Sequence, residues 1–214
     1  GSSTSIEVFL DGHRLKYGNR FDKGFAKALI KSTVVVPLFS MDAIENMKNH
    51  KANAVDNVLL EWIIANECMV INEHGTSSDT FVQKVFPIFF GPRVKIDSGE
   101  ITKVETFPFA ELSNLPDIIP RATIAAAKKH LAEHGITSYS SELDTFTIRE
   151  FITGCFSKYN GIFASKEPHM RLVSIIASKV YEILGEAQSM RKERISTDDG
   201  NNNVMVSSPR VEKF

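Results

Sequence analysis

Within the stretch Ala54 to Met69, A-V-D-N-V-L-L-E-W-I-I-A-N-E-C-M, an apolar run from Val58 to Ala65 holds a single carboxylate, Glu61. At about 100° per residue, Asn57, Glu61 and Cys68 share one helix face with Ile64 and Ala65 beside it, while Val55, Val58, Leu59, Trp62 and Ile63 contribute to a wide apolar surface. A carboxylate ringed by apolar side chains is partly desolvated. That environment favours its neutral form and raises its pKa unless a partner or a cationic ligand compensates. Glu61 is therefore the candidate for chemistry. The competing reading makes Asn57, Glu61 and Cys68 a solvent-facing stripe on a core helix.

The other reactive residue types make weaker constellations. His130 and His134 have i, i+4 spacing and could share a metal. Only Glu133 accompanies them at ligand spacing, so they read as surface histidines near a helix C-terminus, and no metal site is expected. Gly12 and Gly18 belong to neither G-x-x-x-x-G-K-[ST] nor G-x-G-x-x-G and form no phosphate loop. Cys68 and Cys155, the only cysteines, both lie in helical apolar patterns, which predicts buried thiols in a reducing compartment and a cytoplasmic protein. With 25 basic and 26 acidic residues the formal charge is −1. That balance gives no electrostatic case for nucleic acid or a membrane surface, and the run Arg191 to Arg194 is too short to make one. No apolar run reaches the roughly 18 to 20 residues of a membrane span, and the opening Gly-Ser-Ser-Thr-Ser lacks the basic and apolar regions of an export signal.

The elements that must position Glu61 follow from periodicity. Ile6 to Leu10 reads as a strand, followed by a loop punctuated by Asp11, Gly12 and Gly18. Phe21, Phe25, Ala28 and Leu29 predict a helix over about Arg20 to Lys31. Thr33 to Phe39, T-V-V-V-P-L-F, and Val85 to Phe90, V-F-P-I-F-F, read as strands buried on both faces, as in parallel sheets. Pro37 and Pro87 must then sit at strand ends, edges or bulges, because neither donates to a ladder. Ser40 is placed to cap a short helix through Met47, and the Glu61 helix should end near Ile71. Between Gly91 and Asn114 no regular element is legible. Arg121 to His134 reads as an alanine-rich helix with Gly135 as its C-cap, and Ile136 to Tyr139 as a last short strand. Thr147 and Glu150 have capping-box spacing ahead of Ile148, Phe151, Ile152, Cys155 and Phe156. A helix over about Pro168 to Leu184 is too apolar to stand free. From Ser189 the composition predicts disorder. Strand and helix in alternation imply a parallel α/β sheet, whose ligands bind beyond the carboxyl ends of the strands.

Several segments taken in order resemble the TIR domain: V-F-L-D (Val8 to Asp11), Leu15 and Gly18, F-A-K-A-L-I-K-S-T-V-V-V-P-L-F-S (Phe25 to Ser40), D-N-V-L-L-E-W (Asp56 to Trp62) and F-P-I-F-F-G (Phe86 to Gly91). Within that family they are similar to the branch that contains the axon-degeneration NAD hydrolase of animals. The likeness covers about Ile6 to Phe156, with Gly135 to Phe151 matching the last strand and helix. It implies a flavodoxin-like parallel sheet flanked by helices over residues 1–165, lacking the family's first strand and helix. An additional packing or oligomerisation helix over 166–188 and a disordered tail over 189–214 would follow. Asp11 to Gly18 would be the BB loop and Glu61 the catalytic acid. The position one helical turn before it, a tryptophan in the axonal enzyme, is Asn57. Phe9, Asp11 and Asn57 become candidate substrate contacts, Phe9 also reading as a core phenylalanine.

The activity that the resemblance implies is cleavage of the nicotinamide-ribose bond of NAD+, to nicotinamide and ADP-ribose or its cyclic form, with NAD+ as substrate and no cofactor. It also implies a site completed by a neighbouring protomer, hence self-association, and a role in signalling such as innate immunity. A second reading is a TIR interaction module that recruits other TIR domains without chemistry. A phosphoacceptor receiver is disfavoured because Asp11 has no acidic neighbour before Asp22.

Overall fold

Local signals set most of the helices. The structure, a computed structural model, describes residues 21–74, 82–95, 102–104, 106–159, 161–164, 173–186 and 189. Helix α1 spans Phe21–Ile30 and leads into β1 (Val34–Val35) and β2 (Leu38–Ser40). Ser40 then caps α2 (Met41–Lys48), its hydroxyl accepting from Ala43 N. Helix α3 (Asn57–Glu73) carries Glu61 and starts at Asp56, whose carboxylate accepts from Leu59 N at 2.8 Å. Strands β3 (Lys84–Val85) and β4 (Ile88–Phe90) follow. In the stretch where the sequence shows no pattern, β5 (Arg93–Lys95) and β6 (Thr102–Val104) pair antiparallel, and a 3-10 segment runs from Phe109 to Asn114. Helices α4 (Arg121–Glu133) and α5 (Ile148–Lys158) come next, the latter opened by the predicted Thr147/Glu150 capping box. β7 (Ile162–Phe163) follows, and residues 173–186 form helix α6. The predicted strand Ile6 to Leu10, the loop Asp11 to Gly18 and the tail beyond Ser189 lie outside the described residues.

The parallel strands β1 to β4 and β7 are short for a specific reason. Val34 faces Lys84 and Val35 faces Val85, then Leu38 faces Ile88 and Phe39 faces Phe89, so the register passes unchanged through a gap in which Pro37 stands opposite Pro87. Ile88 N donates to the Pro37 carbonyl at 2.9 Å, but Pro37 has no N–H to return to the neighbouring strand, and the ladder breaks there. Pro87 lacks its donor on the other side, where β7 begins with Ile162 N donating to the Pro87 carbonyl. The order β2-β4-β7 makes β4 the central strand.

Two expectations fail here. Ile136 to Tyr139 is not a strand, so the stretch from Gly135 does not supply a last strand. Gly135 adopts a φ of 85°, and its N–H reaches the Ala132 carbonyl while Ile136 N reaches that of Leu131, a six-to-one closure that consumes Ile136 in the C-cap of α4. The last strand of the sheet is Ile162–Phe163, a run too short to show alternation.

The two faces of the sheet are unequally covered. On one, Phe39, Phe89 and Phe163 stand side by side across three strands, with ring centroids 5.3 and 5.2 Å apart. This face joins α1 to α5 in the main core, through Phe25, Ile44, Ile63, Leu131 and Ile152 among others. On the other, Ile88 and Ala164 form a small cluster with Val36, Phe90, Ile162 and Ile176 of α6, while Leu38 remains 56 % exposed. The apolar C-terminal helix thus packs on the domain's own sheet. Among the described residues no helix is long and apolar enough to cross a membrane.

Candidate functional site

Helix α3 returns from the carboxyl end of β2, and Trp62 fixes its height. The indole lies 3.9 Å from the Phe39 ring, centroid to centroid, one residue before the end of that strand. The turn that carries Glu61 is thereby set beside the rim where open parallel sheets bind ligands. The approach to it is tied down as well. Asp56 N donates to Thr123 Oγ1 (3.2 Å), Thr123 Oγ1 donates to the Ala54 carbonyl (3.4 Å), and Ala122 N donates to the Ala52 carbonyl (3.1 Å).

Glu61 is half-buried and takes part in an interaction within the chain. Asn57, one turn earlier, is exposed on the same flank. Cys68, the third member of that face, is 0 % exposed. The face is therefore open at the rim and shut two turns further in, and the picture of a continuous solvent-facing stripe fails at Cys68. Of the sequence-predicted site residues, Asn57 and Glu61 are brought together; Phe9 and Asp11 lie outside the described residues.

The same rim carries an aromatic wall that the sequence reading missed. Phe89 contacts Phe107 and Phe109 at 5.9 and 6.0 Å, and Phe109 meets Phe163 edge-on at 5.6 Å. Phe109 and Phe163 keep 42 % of their surface exposed. Lys48, at the end of α2, holds the 3-10 segment to the rim through Glu111 at 2.8 Å. That hydrogen bond raises the Lys48 pKa and lowers that of Glu111, so both stay charged.

Glu67 is the second omission. It is 1 % exposed, and its carboxylate accepts from Ser140 N at 2.9 Å and from Ser140 Oγ at 2.7 Å. The signal was available: Glu67 follows two residues after the apolar run, with Ile63, Ile64 and Ile71 one turn to either side. Its partner, far away in sequence, was not.

Other groups are placed away from chemistry. Burial pushes the Cys155 thiol up to about 12 and keeps it protonated. Tyr159 is also raised, by burial first and then by Cys155, Glu73 and Glu67, and its hydroxyl donates to Asn66 Oδ1 at 2.8 Å. His130 is not a surface histidine. It is buried, with Nδ1 3.7 Å from Glu133, because α4 turns that side of its last turn toward Phe25. His134 is partly buried, which lowers its pKa. Among the described residues no group of three or more His, Cys, Asp or Glu side chains is placed to hold a metal ion.

Comparison of the chain with protein-family models, with curated proteins and with solved structures gives no match.

Proposed function

We propose that the chain is a flavodoxin-like TIR-type NAD+ glycohydrolase in which Glu61 is the catalytic acid. The observation that carries this reading is the position of Glu61: a half-buried carboxylate one turn into a capped helix, at the carboxyl-end rim of a parallel sheet. The order of the TIR-like segments along the chain supports it.

The chemistry asks for placement above all. The nicotinamide ring of NAD+ is already cationic and leaves readily, so the developing charge sits on an oxocarbenium-like ribose. A carboxylate beside that sugar, shielded from water by Trp62 and its apolar neighbours, stabilises the charge and holds the ribose hydroxyls. Asn57, exposed one turn away, is placed to hydrogen-bond the same substrate. In this reading the site is completed by a second copy of the chain, and activity rises with self-association.

Purified full-length chain at increasing concentration is incubated with NAD+, and nicotinamide release is followed by chromatography. Glu61→Gln should lose on the order of a hundredfold or more in turnover while keeping its melting temperature. A variant as active as the parent overturns the assignment. Inertness of the assembled parent protein would leave the other family role, recruitment of TIR domains without chemistry.

A further inference from the structure

At the opposite end of the sheet from Glu61, a cleft of about 760 Å3 opens between the amino ends of β3 and β7 and the overlying α6. That volume falls in the range of small-molecule sites. Its walls are largely apolar, with Met69 from α3, Val85 and Ile162 from the strands, and Ile175 and Ile183 from α6. Three lysines also line it, and they are not equivalent. Lys179 is neutralised by Glu182 at 2.6 Å, and Lys158 lies 3.6 Å from Glu73. Lys84 is half-buried; its backbone N–H donates to the Thr33 carbonyl at 3.3 Å, and its ammonium forms no hydrogen bond or ion pair among the described residues.

Strand alternation makes Lys84 conspicuous. Lys84, Phe86, Ile88 and Phe90 follow one another on the sheet face that α6 covers. An ammonium lining an apolar cleft gives up hydration that no partner among the described residues returns. The remaining lining acid, Glu186, is exposed on the last turn of α6. An apolar cleft with one uncompensated cation suits a ligand with one negative head and a hydrocarbon body.

We propose that this cleft binds a small amphiphilic anion, its carboxylate-type head on Lys84 and its apolar body along Ile162, Ile175 and Ile183. The inference is independent of NAD+ cleavage, since it uses neither Glu61 nor the rim.

The test uses the full chain and anilinonaphthalene sulfonate, a fluorescent anion with an apolar body, displaced in turn by decanoate, decanol and inorganic phosphate. Saturable binding is expected, with decanoate displacing the probe at about tenfold lower concentration than decanol and phosphate failing to displace it. Lys84→Met should remove the advantage of decanoate, Lys84→Arg should keep it, and Ser178→Trp, which fills the cleft from an exposed position on α6, should abolish binding. Equal displacement by decanol and decanoate, displacement by phosphate, or unchanged behaviour of Lys84→Met overturns the proposal, as does the absence of saturable binding.

Discussion

Glu61 and Glu67 stand on the same helix, less than two turns apart, in equally apolar surroundings, yet the fold treats them in opposite ways. Glu67 is sealed, with both carboxylate oxygens occupied by Ser140. A buried carboxylate satisfied by a backbone N–H and a hydroxyl is a structural clasp, fastening α3 to the turn that precedes α5. Glu61 is left half-open at the rim. Burial depth alone therefore does not single out a reactive acid. What separates them is whether a ligand can reach the carboxylate.

The contrast is sharpened first by removing each carboxylate. Glu67→Ala strands the Ser140 N–H and hydroxyl and should cost about 3 kcal/mol in urea unfolding, more than Glu61→Ala, whose side chain is less deeply buried. Equal costs would break the distinction. In a double-mutant cycle with Ser140→Ala, Glu67 should show a coupling of about 1 to 2 kcal/mol and Glu61 none beyond error.

A smaller effect tests how the rim is positioned. Asp56→Ala removes the N-cap of α3 and should lower stability by about 1 kcal/mol. Because Glu61 lies in the first turns after that cap, the proposed nicotinamide release should fall by more than the loss of folded protein explains, while hydrogen exchange at the Ser140 amide stays slow. Loss of protection at Ser140 in that variant would mean that the two halves of α3 move together.

The smallest effect is read by pH. His134 has its pKa lowered from 6.5 chiefly by burial, opposed by Glu133. The unfolded chain then binds the proton more readily, so the melting temperature should be level above about pH 6.5 and fall as the pH drops below it. His134→Gln should flatten that slope without touching either glutamate.

Much of the scaffold around Glu61 was legible. Ser40 and the Thr147/Glu150 pair open their helices through contacts within three residues, and the apolar runs around Pro37 and Pro87 announced parallel strands, although Leu38 stays 56 % exposed rather than buried. One failure is a local helix ending, and the others come from long-range partnership. Ile136 to Tyr139 read as a strand, but the Ile136 N–H is taken by the Leu131 carbonyl in the close of α4. Ile162–Phe163 is too short to be seen and becomes a strand only because β4 offers it an edge. The aromatic wall required Phe89, Phe109 and Phe163 to converge from three separate segments.

The sequence by itself determined where helices start and which segments must be buried, since caps and periodicity depend on neighbours a few residues away. It also marked Glu61 as an acid in an apolar setting. Only the tertiary structure decided that Glu67 is sealed and Glu61 half-buried, and that the Lys84 ammonium lines a cleft with no ionic partner among the described residues. Those outcomes depend on Ser140, on the tilted contact of Trp62 with Phe39 and on the seat of α6, all distant in sequence, and hydrogen bonding and desolvation are settled by what arrives in space.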